Sequence, residues 1–220
     1  MLPRMPRTIA IGDIHGHAAA LAGLLDRVQP SADDRVVALG DYIDRGPDSR
    51  GVIDHLIDLG RRCELITLRG NHEQMMLEAK DDVRSMVLWN MNGGEATLDS
   101  YRASIWEDVP ADHIAFIKAT PLFHETESAI FVHANYLPSR RFEKQDPDVM
   151  LWDHLFDRVP GPHISGKTVF VGHTPMQEQP FDVGHLVCID TGCGKGGPLT
   201  AMDIDSRETW QVDETGRPLD

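Results

Sequence analysis

The chain has 220 residues, of which 41% are hydrophobic and 25% are charged, so it can bury a sizeable core and has the composition of a globular protein. Its formal net charge is −14, because 35 acidic residues outnumber 21 lysines and arginines, and such a surface disfavours nucleic-acid or anionic-membrane partners. No run of about 18 apolar residues is present, so we expect no transmembrane helix.

The beginning of the chain, MLPRMPRTIAIGD, contains no apolar stretch long enough for a signal peptide. The expected compartment is therefore the cytoplasm. The three cysteines are an odd number in a chain without a secretion signal, which argues for free thiols rather than a disulfide framework.

The first 80 residues repeat one pattern three times: a β-rich run, a polar loop that contains glycine, and a stretch with helical spacing. The predicted strands are Thr8–Ile11, Val36–Leu39 and Leu65–Leu68. The predicted helices begin near Ala18, Ser49 and Glu73. This βαβαβα order predicts a parallel sheet with right-handed crossovers.

Residues 81–120 have a different character and are typical of two or three short helices, broken at Gly93-Gly94 and at Pro110. We interpret them as a helical excursion beside the sheet, within a single domain that covers residues 1–220. Four methionines in and just before this region are expected to fill its core: Met75, Met76, Met86 and Met91. Four further β-rich runs follow: Ala129–Val132, Thr168–Val171, Leu186–Ile189 and Leu199–Ile204.

Metal-binding residue types follow five of the predicted strands. They are Asp13 and His15, then Asp41, then Asn71 and His72, then His133, and then His173. Ligands in open α/β sheets bind outside the carboxyl ends of the strands, so we expect these side chains to converge. Carboxylate, imidazole and carboxamide ligands together suit Mn, Fe or Zn. Six ligands drawn from these residues are too many for one tetrahedral zinc but fit two bridged metals, an arrangement that serves the hydrolysis of phosphate esters.

The loops that carry these residues form recognisable motifs. They read GDIHGH (12–17), GDYIDRGPDS (40–49), LRGNHE (68–73), HA (133–134) and GHTP (172–175). With these motifs the chain resembles the phosphoprotein phosphatase family of calcineurin-like metallophosphoesterases, in particular its short bacterial and phage serine/threonine phosphatases. The resemblance spans residues 8–205. It implies an α/β metallophosphoesterase fold, with a central β-sandwich of mixed sheets flanked by helices and a metal site at the C-terminal ends of the strands.

Matched position by position, the resemblance implies two divalent metal ions, Mn first, with Fe or Zn as alternatives. The implied ligands are Asp13 and His15 for one ion, Asn71, His133 and His173 for the other, and Asp41 as the bridge. His72 matches the family's general acid, Asp44 the carboxylate that orients it, and Arg45 the phosphate-binding arginine. The implied reaction is direct attack of a metal-bound hydroxide, with no covalent phosphoenzyme. A protonated imidazole assists an alkoxide leaving group, and the arginine fork holds two phosphate oxygens.

One part of the family pattern is missing. Many members use an arginine two residues after the Trp of a Leu-Trp pair as a second phosphate clamp, and here His154 stands at that position after Trp152. His154 could supply a weaker, pH-dependent charge for phosphate binding, Arg141 or Arg158 could reach the site from a loop, or His154 could be a surface residue with no role. The GCGKGG segment (192–197) departs from the P-loop pattern, and we interpret it as a tight turn whose glycines border the site.

The leading hypothesis is a phosphatase for phosphate monoesters, most of all phosphoserine and phosphothreonine in proteins. The alternative is a hydrolase of dinucleoside polyphosphates such as diadenosine tetraphosphate, so the partner is a phosphoprotein or a small phosphorylated molecule. In symmetrical tetraphosphatases the position of Asp44 is commonly not acidic and that of Glu73 is commonly Asp, which favours the phosphatase. A noncatalytic binding module is disfavoured, because no predicted ligand is missing.

Overall fold

The structure, a computed structural model, describes residues 5–219. Its strands are β1 (Thr8–Ile11), β2 (Arg35–Ala38), β3 (Glu64–Thr67), β4 (Phe123–Glu125), β5 (Ala129–Val132), β6 (Thr168–Val171), β7 (Phe181–Asp182), β8 (Leu186–Cys188), β9 (Leu199–Asp203), β10 (Thr209–Val212) and β11 (Pro218–Leu219). Its α-helices are α1 (Ala18–Val28), α2 (Ser49–Leu59), α3 (Asn71–Glu78), α4 (Val83–Trp89), α5 (Glu95–Tyr101), α6 (Ala111–Lys118) and α7 (Pro147–Trp152).

The strands form two mixed sheets, which confirms the predicted fold class. In the first sheet the order is β11-β10-β9-β1-β2-β3, with β1, β2 and β3 parallel as predicted and β9 antiparallel to β1. In the second sheet the order is β4-β5-β6-β8-β7, with β5, β6 and β8 parallel. The loops that leave the parallel strands of each sheet therefore start from one edge of that sheet.

The alternation of side chains along the central strands explains how the two sheets and the helices pack. Ile9 and Ile11 of β1 point into the core shared with α1 and α2, whereas Ala10 points into the core between the sheets. Val37 of β2 faces the second sheet in the same way and meets Phe131 of β5 in that core. Strands buried on both faces are continuous apolar runs, which is why the sequence identifies them.

Most boundaries lie within one or two residues of the predicted ones, but several predictions need correction. Strands β2 and β3 begin and end one residue earlier than predicted, β8 and β9 end one residue earlier, and α3 begins at Asn71 rather than Glu73. Strands β4, β7, β10 and β11 were not predicted. They have two to four residues and include half-buried or exposed positions, so they lack a long apolar run. Met91 is 81% exposed, so its predicted place in the core is wrong, whereas Met75 and Met76 are buried.

The helical excursion is broken where the sequence predicts it. Between α4 and α5 lies a π-helical turn, Asn90–Gly94, in which Gly93 has the non-helical φ of 108°. A glycine adopts this conformation without the steric cost that a side chain would add. Pro110 immediately precedes α6. The kink at Gly93 turns the chain toward the 40–49 loop, and it thereby brings the excursion to the candidate site.

No helix in residues 5–219 combines the length and the apolar character that crossing a membrane requires.

Candidate active site

The predicted metal ligands leave strands of both sheets and converge. Asp13 and His15 follow β1, Asp41 follows β2, Asn71 opens α3 after β3, and His133 and His173 follow β5 and β6. Five of the six are buried, and His173 is half-buried. The parallel strands aim their carboxyl ends at this place, so residues 160 positions apart become neighbours.

Asp41 lies at the centre of this group. Its Oδ2 is 3.5 Å from His15 Nε2, and its Oδ1 is 3.4 Å from His133 Nε2. Asn71 Oδ1 lies 2.9 Å from both His133 Nε2 and His173 Nδ1. One carboxylate thus presents its two oxygens to histidines on opposite sides, as a residue bridging two cations would.

Two groups of ligand atoms within residues 5–219 lie close enough to hold an ion. They are His15, Asp41 and His72, and Asp41, His133 and His173. Asp13 belongs to neither group, although it is buried and its carboxylate accepts the His173 N–H at 3.1 and 3.2 Å. The predicted role of Asp13 beside His15 therefore stays a prediction.

The electrostatics of these side chains suit cations. Burial is the largest cause of the lowered pKa values of His15, His133 and His173, the last of which falls to about 3, so these imidazoles are neutral and able to ligate. Burial, followed by the charges of Asp190 and Asp41, raises the pKa of Asp13 well above its usual value. Crowded buried carboxylates beside neutral imidazoles are a donor set that fits divalent metals.

Backbone strain is concentrated at the same place. Positive φ values occur at His15 (46°), Asp41 (51°), Asp44 (72°), Arg45 (68°) and His173 (61°). Each costs a residue with a side chain of order 1–3 kcal/mol, and such strain clusters at functional sites. All five are residues to which the sequence assigns a role in the site.

Glu73 holds the two loops of the site together, a function that the sequence does not reveal. Its buried carboxylate accepts the backbone N–H groups of Asp41 and Tyr42 at 2.8 Å and of Gly70 at 2.9 Å. Burial and then the charge of Asp41 raise its pKa to about 7. The bond to Gly70 is half of a capping box, so a glutamate at the third position of α3 is the signal that could have located it.

His72, Asp44 and Arg45 form a connected set, as the resemblance implies. His72 Nδ1 lies 2.7 Å from Asp44 Oδ2, and His72 lines the cavity described below. Arg45 donates to that Nε2 at 2.9 Å and to His15 Nε2 at 2.8 Å. Burial alone would lower the pKa of His72, but the carboxylates of Asp41 and Asp44 outweigh it, and the pKa is raised.

The helical excursion supplies the partners of Asp44. Trp89 Nε1 donates to both carboxylate oxygens at 3.0 and 2.9 Å, and Thr97 Oγ1 donates to Oδ1 at 2.7 Å. Gly93 O accepts the Arg45 N–H at 3.2 Å. Trp89 and Thr97 lie 45 and 53 residues from Asp44 along the chain, so no local spacing could have found them.

A cavity of about 220 Å³ opens over these residues. Its lining includes residues for which a role is predicted, among them Asp41, Arg45, Asn71, His72 and His173. Gly192 and Gly194 border it, as predicted for the GCGKGG turn. Its lining also includes residues for which no role is predicted, among them Asn92, Asp190 and Lys195.

Of the alternatives for the missing arginine, His154 is the one at this cavity. Its ring stacks on His173 with centroids 4.2 Å apart and an interplanar angle of 22°, and its buried Nδ1 has no hydrogen-bond partner among the described residues. Arg158 instead pairs with Asp153 and donates to Tyr136 O. Arg141 lines a different cavity. A phosphate-binding role for His154 stays a prediction.

Loops from two mixed sheets converge on groups of histidine and aspartate ligands. This arrangement defines a metallophosphoesterase. The chain belongs to the calcineurin-like phosphoesterase family, whose model matches residues 6–202. This confirms the resemblance found in the sequence. It also makes the chain a hydrolase of a metal-dependent family.

Relatives of two substrate classes resemble the chain. It is 36% identical over 206 residues to serine/threonine-protein phosphatase 1 of Salmonella typhimurium (strain LT2), which covers 88% of this chain and 90% of the relative. It is 29% identical over 226 residues to the asymmetrical bis(5'-nucleosyl)-tetraphosphatase of Oceanobacillus iheyensis, which covers 90% and 88%. A crystal structure of a "putative diadenosine tetraphosphatase" matches with a TM-score of 0.70 and 26% identity over 96% of each chain. The family is thus shared, whereas the substrates of its members differ.

Proposed function

We propose that the chain is a dinuclear-metal-dependent phosphatase that hydrolyses phosphate monoesters, most of all phosphoserine and phosphothreonine in proteins. The observation that carries this proposal is the buried Asp44–His72 pair, 2.7 Å apart, with His72 lining the cavity that Arg45 also lines. An alkoxide is a poor leaving group and needs a proton, and an imidazole held by a carboxylate can supply it. The 36% identity to a serine/threonine phosphatase supports the same substrate class.

Each residue has a proposed task. Asp13, His15, Asp41, Asn71, His133 and His173 would hold the two ions, with Mn first and Fe or Zn as alternatives. When bound, two divalent cations lower the pKa of water and neutralise phosphate oxygens. Arg45 would bind the phosphate with its guanidinium fork, helped by His154, while His72 protonates the leaving oxygen and Asp44 keeps its ring oriented.

The second candidate is hydrolysis of dinucleoside polyphosphates, which the tetraphosphatase relative and the matching crystal structure favour. We prefer a phosphoprotein substrate because Asp44 and Glu73 are both present and both make contacts within the site. Asp44 contacts His72, and Glu73 holds the loops around Asp41.

A direct test treats the protein with a chelator, restores Mn, Fe or Zn, and measures turnover of a panel of phosphoserine and phosphothreonine peptides beside diadenosine tetraphosphate. We expect peptide hydrolysis with Mn. The matched control Asp41→Asn keeps the side-chain shape but removes the bridging charge, and it should be inactive with both substrates. Turnover of the dinucleotide alone would overturn the preferred substrate, and no turnover in any metal would favour a binding module.

We also propose that residues 1–220 form one domain that acts in the cytoplasm on phosphorylated proteins or small molecules rather than on nucleic acids. The apolar core supports one domain, because Trp89 and Trp106 of the excursion share a cluster with Ile9 and Leu21. The three free, buried cysteines are typical of a reducing compartment. The net charge of −14 supports the exclusion of nucleic acids.

A further inference from the structure

The candidate cavity contains a second cationic side chain besides Arg45. Lys195 lines it from the opposite end of the chain, within the GCGKGG turn. Neither cation lies within 4.0 Å of a carboxylate oxygen among the described residues. In a protein with a net charge of −14, the mouth of this cavity therefore offers two positive groups to an anion.

The turn around Lys195 packs closely against a residue of the site. Gly192 and Gly196 adopt the left-handed φ of 87° and 85°, and a 3₁₀ turn, Cys193–Lys195, joins them. Gly194 lies flat against the ring of His15, because a Cβ placed on it would come 2.4 Å from His15 Cδ2. Lys195 is thus anchored by its own backbone beside a predicted metal ligand.

Asp190 is the carboxylate in this part of the cavity, and it already accepts a hydrogen bond from the backbone. It is buried, and its Oδ1 accepts the N–H of Gly192 at 2.9 Å. Burial is the largest cause that raises its pKa to about 6, while Arg45 and Lys195 oppose the rise. Lys195 itself is exposed, so its ammonium remains able to bind an incoming group.

We propose that Arg45 and Lys195 form a subsite for two anionic groups, in which Arg45 holds the phosphate to be cleaved and Lys195 binds a second anion of the same substrate. The proposal rests on the proposed phosphatase function and adds a substrate class to it. The second anion is a neighbouring phosphate in a polyphosphate or an acidic side chain next to a phosphorylated serine. A lysine is a flexible point charge with three donors, so it suits either anion, whereas the planar fork of Arg45 suits the scissile phosphate.

The test compares Lys195→Met with wild type on substrates that differ in the second anion. One pair is p-nitrophenyl phosphate and diadenosine tetraphosphate. The other pair is a phosphoserine peptide with Asp beside the phosphoserine and the same peptide with Asn. For wild type we expect a higher kcat/KM with the second anion. In Lys195→Met this preference should fall by about two- to fivefold through KM, the size expected of an exposed ion pair.

Control variants distinguish the effect of the positive charge at Lys195 from the effect of removing a positive charge elsewhere on the protein. Lys195→Arg should retain most of the preference. Lys144→Met removes one positive charge from an exposed residue that does not line the cavity, and it should leave the preference unchanged. The substrate pair that loses its preference identifies the second anion as phosphate or as carboxylate.

Calorimetric binding of pyrophosphate and orthophosphate provides the same comparison without turnover. Lys195→Met should weaken the binding of pyrophosphate more than the binding of orthophosphate. Equal losses for both ligands, or an unchanged substrate preference, would overturn the subsite. Failure of the proposed function is distinguishable, because it appears as absent turnover of every phosphate ester by the wild-type protein.

Discussion

Three side chains of one turn, Asp41, Asp44 and Arg45, point to three different partners. Asp41 faces the histidines, Asp44 contacts His72 Nδ1, and Arg45 contacts the Nε2 atoms of His15 and His72. All three adopt left-handed backbone conformations, which turn neighbouring side chains in directions that an extended strand would not permit. The strain is sustained because each side chain or backbone group is tied to another element.

His72→Asn is expected to bind metal normally but to lose at least about 10²-fold in kcat toward alkyl phosphates, because their leaving oxygen needs a proton. Aryl phosphates should lose much less, since a phenolate leaves without one. Steady-state kinetics on an alkyl and an aryl ester, with metal content measured in parallel, check this prediction. Asp44→Asn should show the same split in a weaker form. Near-normal activity on the alkyl ester would remove His72 from the mechanism.

At this scale the sequence locates the residues that sit in short, spaced motifs. It does not locate Asp190 and Lys195, because a carboxylate and a lysine in a glycine-rich turn look like ordinary loop residues until the turn is placed against His15. It notes Glu73 but not its task, because three backbone N–H groups from two loops converge on it only in the folded chain.

At the scale of elements, the excursion acts as the support of the 40–49 loop. Trp89 ends α4 and Thr97 lies on α5, and the π-helical turn between them lets both reach Asp44. Gly93 is required at this turn, because a Cβ there would come 2.8 Å from Arg45 N in addition to the strain of its φ. The excursion thus positions the 40–49 loop, although it supplies no predicted metal ligand itself.

Thr97→Val should therefore affect the chemistry through Asp44. The substitution removes one donor to a buried carboxylate, whose loss costs about 1–3 kcal/mol, and it loosens the orientation of His72. We expect kcat for an alkyl phosphate to fall by about tenfold, with a smaller fall for an aryl phosphate and unchanged metal content. Trp89→Phe, which keeps an aromatic ring but removes the indole N–H, should behave alike.

Thr97→Ser is the matched control, since it keeps the hydroxyl, and it should restore most of the activity. If Thr97→Val and Thr97→Ser lose equal activity, or if alkyl and aryl esters suffer equally, then Thr97 contributes only to packing. Thermal unfolding of each variant shows how much of any loss comes from stability.

Elements differ in how well the sequence predicts them, for a physical reason. Strands such as β1 and β5 are buried on both faces and therefore appear as uninterrupted apolar runs. Edge strands such as β7 and β11 are held by backbone hydrogen bonds to one neighbour, and their side chains carry little signal. The breaks at Gly93 and Pro110 are visible, but the partner toward which the excursion turns is not.

At the scale of the whole molecule, the site joins the two sheets. Asp13, Asp41 and Asn71 come from the first sheet, whereas His133 and His173 come from the second. Ions that bind only the folded chain stabilise it by mass action, by about 4 kcal/mol at 1,000 times the dissociation constant. We expect Mn to raise the melting temperature of chelator-treated protein, as measured by calorimetry. Asp41→Asn should lose most of this shift, and an unchanged shift would contradict the bridging role.

The two ions should respond differently to acid. The pKa of His173 is lowered to about 3, so protons do not compete for this ligand near pH 5, and burial lowers the pKa of His133 as well. The raised pKa of Asp13 means that a proton does compete there, so an ion held by the proposed ligands Asp13 and His15 should leave first as the pH falls. Metal content after equilibrium dialysis over a pH series tests the order. Simultaneous loss of both ions, or earlier loss from the histidine side, would contradict it.

The support of Asp44 by Trp89 and Thr97 has an evolutionary consequence. The side chains that support Asp44 and the predicted metal ligands are encoded in separate stretches of the chain. Substitutions confined to residues 81–120 can therefore tune turnover while the affinity for ions persists. Within such a lineage, a faster and a slower enzyme would differ by as little as one hydroxyl group on α5.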